Sequence, residues 1–360
     1  MRIDFQLEYS VNISYPIIIS NGIFSSLRKI IDDEFFPDKC VVITDSNVYS
    51  IYKDKIKNEL LLNSPNYFLI SIQPGESSKS QMVRDELENK IIDLKPSRST
   101  LLIALGGGVV GDLTGFLAST LLRGIRYIQV PTTILAQVDS SIGGKTGINT
   151  KHSKNLIGTF YHPKLVLIDT NFLITLNNEE YYNGFAEILK AMLIKSKEGF
   201  KVIENNIEKI KSRDQDTISD LISRSIKIKN EIVQADPFEN GLRKILNFGH
   251  TIGHAIEALS NYQIKHGFAV IEGILVESYL SHIKNGLTLN DFNRIQKVIE
   301  KLELDKRTRY QFKLEKILDI MEYDKKKLGN QVVFSLLKEI GECSYNIYLE
   351  KSLIETALSI

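Results

Sequence analysis

The run Leu101-Leu-Ile-Ala-Leu105 is cut off at once by Gly106-Gly-Gly-Val-Val-Gly111-Asp112. A short apolar run stopped by glycines reads as a buried strand, and the apolar spacing from Val109 to Leu122 reads as the helix that follows it. The same order recurs along the first half. Val41–Thr44 runs into Asp45-Ser-Asn47, Tyr67–Ile72 into Gln73-Pro-Gly-Glu76, Tyr127–Val130 into Pro131, and Leu165–Ile168 into Asp169, with a helical segment from Ser80 to Leu94 among them. Strands alternating with helices predict a mostly parallel sheet covered on both faces.

After about Leu176 the pattern changes. Asn177-Asn-Glu-Glu180 has a capping amide and first-turn acids, the signature of a helix start. Gly184–Lys197, Thr217–Gln234, Leu242–Leu259 and Gly267–Lys284 then carry apolar residues at helical spacing, and a hairpin pattern, Val332–Leu337 with Cys343–Tyr348, flanks Gly341. For 360 residues two domains are expected, divided here as 1–176 and 177–360.

The formal charge of +1 argues against a nucleic-acid or membrane-surface binder. Cys40 and Cys343 lack a CxxC partner and are expected to be buried thiols in a reducing compartment. Residues 1–8 alternate like a strand, with no signal or transit pattern, and no run is long enough to span a membrane. A cytoplasmic protein is expected.

Gly106-x-Gly108-x-x-Gly111 satisfies a dinucleotide fingerprint in the required strand–turn–helix context. Glycines admit a pyrophosphate to the backbone, and the helix N-terminus offers free N–H groups. The acid expected about twenty residues on is missing: Arg123 and Arg126 lie there, and Asp139 is the next carboxylate. Asp45, closing an earlier strand, is the candidate ribose contact. The alternative is a glycine turn that only packs a helix on the sheet.

Gln137–Asn149, continued by Lys151–Asn155, is a long polar stretch. Gly144-Lys145-Thr146 ends like a phosphate loop, but Asp139 stands where the first glycine should be. Lys145, Lys154 and Asn155 could grip phosphate or carboxylate oxygens, or be ordinary surface groups on a solvated loop.

Three of the six histidines are His250, His254 and His266. Spacing alone selects His250 and His254 as co-ligands of a metal, being four apart on one helix face. The zincin base is absent, since the run reads His-Thr-Ile-Gly-His. Glu187, an acid in an otherwise apolar helix, is the candidate carboxylate ligand.

Together these segments resemble the 3-dehydroquinate synthase family. The likeness rests on Asp45-Ser-Asn-Val48, Pro74–Lys79, Gly106–Leu113, Leu122–Thr133, Gln137–Asn149, Lys154–Gly158 and Gly241–His254. It implies an N-terminal Rossmann-like α/β domain that binds NAD and a mainly α-helical C-terminal domain that binds a divalent metal, usually zinc, with cobalt possible. The implied reaction turns 3-deoxy-D-arabino-heptulosonate 7-phosphate into 3-dehydroquinate and phosphate. That is a carbon–oxygen lyase step of the shikimate pathway to aromatic amino acids, run by transient oxidation, phosphate elimination, re-reduction and aldol closure. By motif, the metal ligands become Glu187, His250 and His266, and His254 moves to the substrate side. Arg123, Asp139, Lys145, Lys154, Asn155, Lys190, Lys229, Arg243, Asn247 and one lysine of Asp324-Lys325-Lys326, taken as Lys325, match substrate positions. Asp45, Asn47, Glu76, Lys79, Gly107, Gly108, Asp112, Thr132, Thr133, Phe172 and Thr175, with Lys145 and Lys154, match NAD positions. The family implies a homodimer. Pro237-Phe238, ahead of Glu239, departs from its usual charged residues.

Three other readings compete. One is a cyclase for a heptulose 7-phosphate or hexose 6-phosphate. Another is a metal-dependent polyol dehydrogenase. The third is a non-catalytic nucleotide- or metal-binding module, against which the many polar residues expected at one site argue, since buried unpaired charges are costly.

Overall fold

The computed structural model describes residues 12–62, 64–151, 153–326 and 332–359, of which 322–326 by backbone alone. The strand expected over residues 1–8 and the side chain of Lys325 lie outside the described residues. The strands are β1 (Ile17–Ser20), β2 (Cys40–Asp45), β3 (Tyr67–Ile72), β4 (Leu101–Gly106), β5 (Arg126–Pro131), β6 (Lys145–Ile148), β7 (Ile157–Phe160), β8 (Leu165–Asp169), β9 (Val333–Glu339) and β10 (Glu342–Tyr348). Six form one sheet, ordered β1-β8-β5-β4-β2-β3, and every pairing in it is parallel. Helices α1 (Leu27–Glu34), α2 (Ser46–Ile56), α3 (Gln81–Asp93) and α4 (Gly108–Thr120) alternate with the strands. The second half holds α5 (Asn178–Lys195), α6 (Lys197–Asn205), α7 (Ile207–Lys211), α8 (Gln215–Ala235), α9 (His250–Leu259), α10 (His266–Lys284), α11 (Leu289–Lys301), α12 (Leu314–Lys326) and α13 (Lys351–Leu358).

The continuous apolar runs follow from burial on two faces. Val41, Ile43, Leu102 and Ala104 pack on one side with Val110 and Leu113 of α4. Val42, Ile103 and Leu105 pack on the other with Phe24, Leu27 and Ile31. Each Val, Leu, Ile or Phe among them, once fully buried, contributes roughly 1.5–3 kcal/mol. Val166, Ile168 and Ile134 share a third cluster with Phe185 and Leu189 of α5, Ile222 of α8 and Ile274 of α10. This common core fixes the helices against the sheet. Among the described residues no helix is long and apolar enough to cross a membrane.

Four local expectations change. Leu242–Leu259 is not one helix: a 3₁₀ segment, Leu242–Asn247, is separated from α9 by Gly249 in the left-handed region at φ 81°. A Cβ there would lie 2.7 Å from Ile274 and 3.0 Å from the Val270 carbonyl, so close packing on α10 imposes the break. The polar stretch after Gln137 is not all loop, because Lys145–Ile148 pairs antiparallel with Ile157–Phe160. β1 adds an edge strand beside β8 that the pattern did not single out. Cys343 is only partly buried, while Cys40 is buried as expected; both are free thiols.

Candidate metal and substrate site

The parallel strands all end on one side, and β2 and β4 flank the point where chain order reverses, since β3 continues outward from β2 while β4 returns across it. Ligands of open parallel sheets sit in such a crevice. Asp45 closes β2 and caps α2, accepting from the N–H groups of Asn47 (2.9 Å) and Val48 (3.0 Å). Gly107 starts α4 with no side chain capping it. A Cβ on Gly107 would lie 3.3 Å from Thr133, and one on Gly108 would lie 3.1 Å from Ser140 Oγ. The cradle is therefore bare backbone at a helix N-terminus, and the nearby Thr132 hydroxyl is buried without a partner. Lys79 donates to Asp112 at 2.6 Å and also bonds Asn155, while Glu76 accepts from Asn149 at 2.7 Å. Phe172 differs from its neighbours in the NAD set. Its ring is buried against Phe24 and Tyr52, and its carbonyl accepts from the Tyr52 and Thr175 hydroxyls, each at 3.3 Å.

Three helices bring the metal candidates together. Asn177 caps α5 by accepting from the Glu180 N–H at 2.8 Å, and Glu187 and Lys190 then lie on one buried face of that helix. α10 begins at His266, and Gly267 lets it touch α5: the Gly267 N–H donates to Asn183 Oδ1 at 2.7 Å. α9 begins at His250, directly after the Gly249 turn, whose N–H donates to the buried Glu277 at 2.7 Å. Glu187 Oε1 ends 3.6 Å from His250 Nε2 and 3.3 Å from His266 Nε2. That oxygen is buried and makes no hydrogen bond. Each imidazole turns its other nitrogen to an acceptor, His250 Nδ1 to the Phe248 carbonyl (3.2 Å) and His266 Nδ1 to Glu257 (3.0 Å). An orphaned carboxylate oxygen facing two imidazole nitrogens whose partners fix the tautomer is a donor set suited to zinc or cobalt. Burial opposes ionised Glu187, but Lys190 at 2.6 Å and the two rings hold its carboxyl well below the usual range. Burial and Lys190 together push His250 well down, keeping it neutral as a ligand must be. Burial also opposes charge on His266, yet Glu187 and Glu257 outweigh it and raise the ring to about 10.

His254, exposed one turn further along α9, forms a second cluster with Glu257 and His266 rather than joining Glu187. The pairing that spacing favours is thus replaced by one that only helix packing supplies. Around the cluster, Lys229 reaches both the backbone carbonyl and the carboxylate of Asp139, and Lys154 lies 3.3 Å from Glu257. Lys145 donates to Glu239 at 2.5 Å, and Asn247 donates to the same carboxylate at 2.9 Å. The buried Arg243 is held by the Pro237 carbonyl at 2.6 Å. Arg123 stands apart. It lies at the exposed left-handed turn leading into β5, on the side where strands begin, so the fold does not bring it to the cluster of its own chain.

Sequence reasoning missed Glu257 and Glu239. Glu257 had a signal: it is an acid in an apolar helix, seven residues past His250 and so on the same face, the argument that found Glu187. Glu239 had none, because its role depends on the turn after α8, where Asp236 takes the N–H groups of Asn240, Gly241 and Arg243.

A sheet-edge crevice with a bare helix N-terminus, opposite a two-histidine, one-glutamate cluster ringed by lysines, defines a class of metal-dependent α/β-plus-helical enzymes. Comparison with known proteins narrows it. The family described as 3-dehydroquinate synthase N-terminal matches residues 69–183, and 3-dehydroquinate synthase C-terminal matches residues 184–327. The 3-dehydroquinate synthase of Clostridium beijerinckii is 40% identical over 95% of this chain and 96% of its own. The chain belongs to the 3-dehydroquinate synthase family. Among solved structures, 2-epi-5-epi-valiolone synthase from Streptomyces hygroscopicus subsp. jinggangensis, with NAD+ and Zn2+ bound, superposes with a TM-score of 0.89 at 26% identity, covering 99% of this chain and 98% of that one. 2-Deoxy-scyllo-inosose synthase, complexed with carbaglucose-6-phosphate, NAD+ and Co2+, gives 0.85 at 25% identity, covering 96% of each chain.

Proposed function

We propose that the chain converts 3-deoxy-D-arabino-heptulosonate 7-phosphate to 3-dehydroquinate and phosphate, using NAD and a divalent metal, as a cytoplasmic carbon–oxygen lyase. The observation that carries this reading is the convergence of Glu187, His250 and His266 amid Lys190, Lys229, Lys154 and Arg243. In this reading residues 1–176 bind NAD across Asp45, Gly107, Gly108, Thr132 and Thr133, and residues 177–360 supply the metal ligands. Bound NAD supplies reversible hydride acceptance, and a divalent metal supplies Lewis-acid support for ionised substrate hydroxyls.

The chain's own side chains position one flexible substrate through several steps. Lys190 holds Glu187 ionised for its part in the ligand set, and Lys229 holds Asp139 ionised beside it. Lys145, Lys154, Asn155, Arg243, Asn247 and His254 face the phosphate and carboxylate as fixed donors, with Lys325 proposed to join them. Glu239 occupies Lys145 and Asn247 before substrate does, and an anionic substrate oxygen takes its place. In this reading the departing phosphate accepts the elimination proton itself. A homodimer belongs to this reading, supported by the exposed Leu156, Ile157 and Phe160 around β7.

Phosphate release from the heptulosonate phosphate, with and without a chelator, tests the proposal. Chelator-sensitive release without net NADH is expected. Accumulating NADH would point to a dehydrogenase, and no release would overturn the assignment. The overlap with the valiolone and inosose synthases favours a second cyclase reading, so a heptulose 7-phosphate lacking the carboxylate is the control. Turnover of that sugar alone would replace the first reading.

A further inference from the structure

Glu257 takes no part in the ligand set, yet it is only 5% exposed and spans two parts of the molecule. Its Oε2 lies 3.0 Å from His266 Nδ1, and its Oε1 lies 3.3 Å from Lys154 Nζ. Lys154 comes from the polar turn between β6 and β7, and its ammonium also sits 4.2 Å from the Tyr262 ring centroid. A metal-binding imidazole keeps one N–H; donated to Glu257 from Nδ1, it leaves Nε2, 3.3 Å from Glu187 Oε1, to take a cation in place of its proton. The carboxylate therefore selects the tautomer that can bind a cation, and its charge raises the basicity of the ring. His250 is held differently, by the uncharged Phe248 carbonyl at 3.2 Å.

We infer that Glu257 is a positioning residue that couples metal retention by His266 to the placement of Lys154 on the sheet side of the site. This rests on the ligand reading above. One carboxylate cannot change its hold on the imidazole without changing its hold on the ammonium. The coupling is thus reciprocal: the seated loop strengthens metal binding, and the bound metal helps to seat the loop.

The test measures Zn2+ affinity of the full chain by competition with a chromophoric chelator, and the visible spectrum of the Co2+ form. Glu257→Ala should weaken Zn2+ binding by ~10–100-fold and alter the Co2+ bands. Glu257→Gln, which keeps an acceptor for Nδ1–H but no charge, should fall between. Lys154→Ala should weaken Zn2+ a few-fold alone and add nothing to Glu257→Ala. If Glu257→Ala does not fold, Glu257→Gln, of the same size, carries the comparison. Wild-type affinity with an unchanged Co2+ spectrum in either Glu257 variant would overturn the positioning role. Effects of Lys154→Ala and Glu257→Ala that multiply would overturn the coupling. A wild-type chain that binds neither metal would remove the ligand reading and this inference together.

Discussion

The glycine turn and the metal cluster are built in opposite ways. Gly106 to Gly111 is one continuous stretch, and its chemistry comes from bare backbone at the start of α4. The cluster takes Glu187, His250 and His266 from three helices, held in contact by Gly249, Gly267 and Gly273, where backbones nearly touch. Backbone sites tolerate drift in neighbouring side chains. Side-chain sites depend on every helix that carries a ligand. Damage to helix packing should therefore cost the metal before it costs the nucleotide.

The largest effect should come from the ligands themselves. His266→Ala or Glu187→Gln should reduce bound metal to background by elemental analysis and cut turnover by more than about 1,000-fold, a loss of several kcal/mol of charge stabilisation. NAD affinity should stay near wild type by titration calorimetry, and a matching loss of NAD would break the comparison. Next is Gly267→Ala, whose Cβ would stand 1.9 Å from the Asn183 carbonyl. It should cost about 1–3 kcal/mol in urea unfolding and weaken the metal. Gly107→Ala, with 3.3 Å to Thr133, should leave stability nearly unchanged while lowering NAD affinity.

The turn before His250 gives a prediction in pH. Burial pushes the Glu277 carboxyl from its ordinary 4.5 up to about 8, against the N–H groups of Gly249 and Ile252. Between those values the folded chain holds a proton that the unfolded chain has released. Stability should therefore fall as pH rises through that window, by up to about 1.4 kcal/mol per unit. Glu277→Gln should flatten the decline in denaturation midpoints, and an unchanged slope would place the proton elsewhere. The smallest effect concerns the site's rim, where Phe238 meets Phe160 edge-on at 5.9 Å. A double-mutant cycle on that pair should read about 0.5–1 kcal/mol, near the low end for aromatic pairs because both rings are exposed.

Much of the sheet was legible because its signals are local. β3 and β4, and the start of α3 at Ser80, follow from apolar runs ended by glycine, proline or a capping hydroxyl. The β6–β7 pairing was hidden because Lys145-Thr-Gly-Ile148 carries neither an apolar run nor a clear alternation. The break at Gly249 was hidden because its cause, α10, comes later in the chain and packs against the turn only once the helices have come together. The ligand trio was legible only through the family resemblance. Spacing favoured His254, which one face of one helix does support.

The parallel sheet, the glycine turn and the side chains able to serve as ligands can be read from the order of residues alone, since period, turn chemistry and donor type belong to short stretches of chain. It took the packed helices to bring His266 and not His254 to Glu187, to set Glu257 and Glu239 against the neighbouring cations, and to leave Arg123 away from them all. Those outcomes depend on how closely separate helices approach, and that distance is set by contacts between residues far apart in the chain.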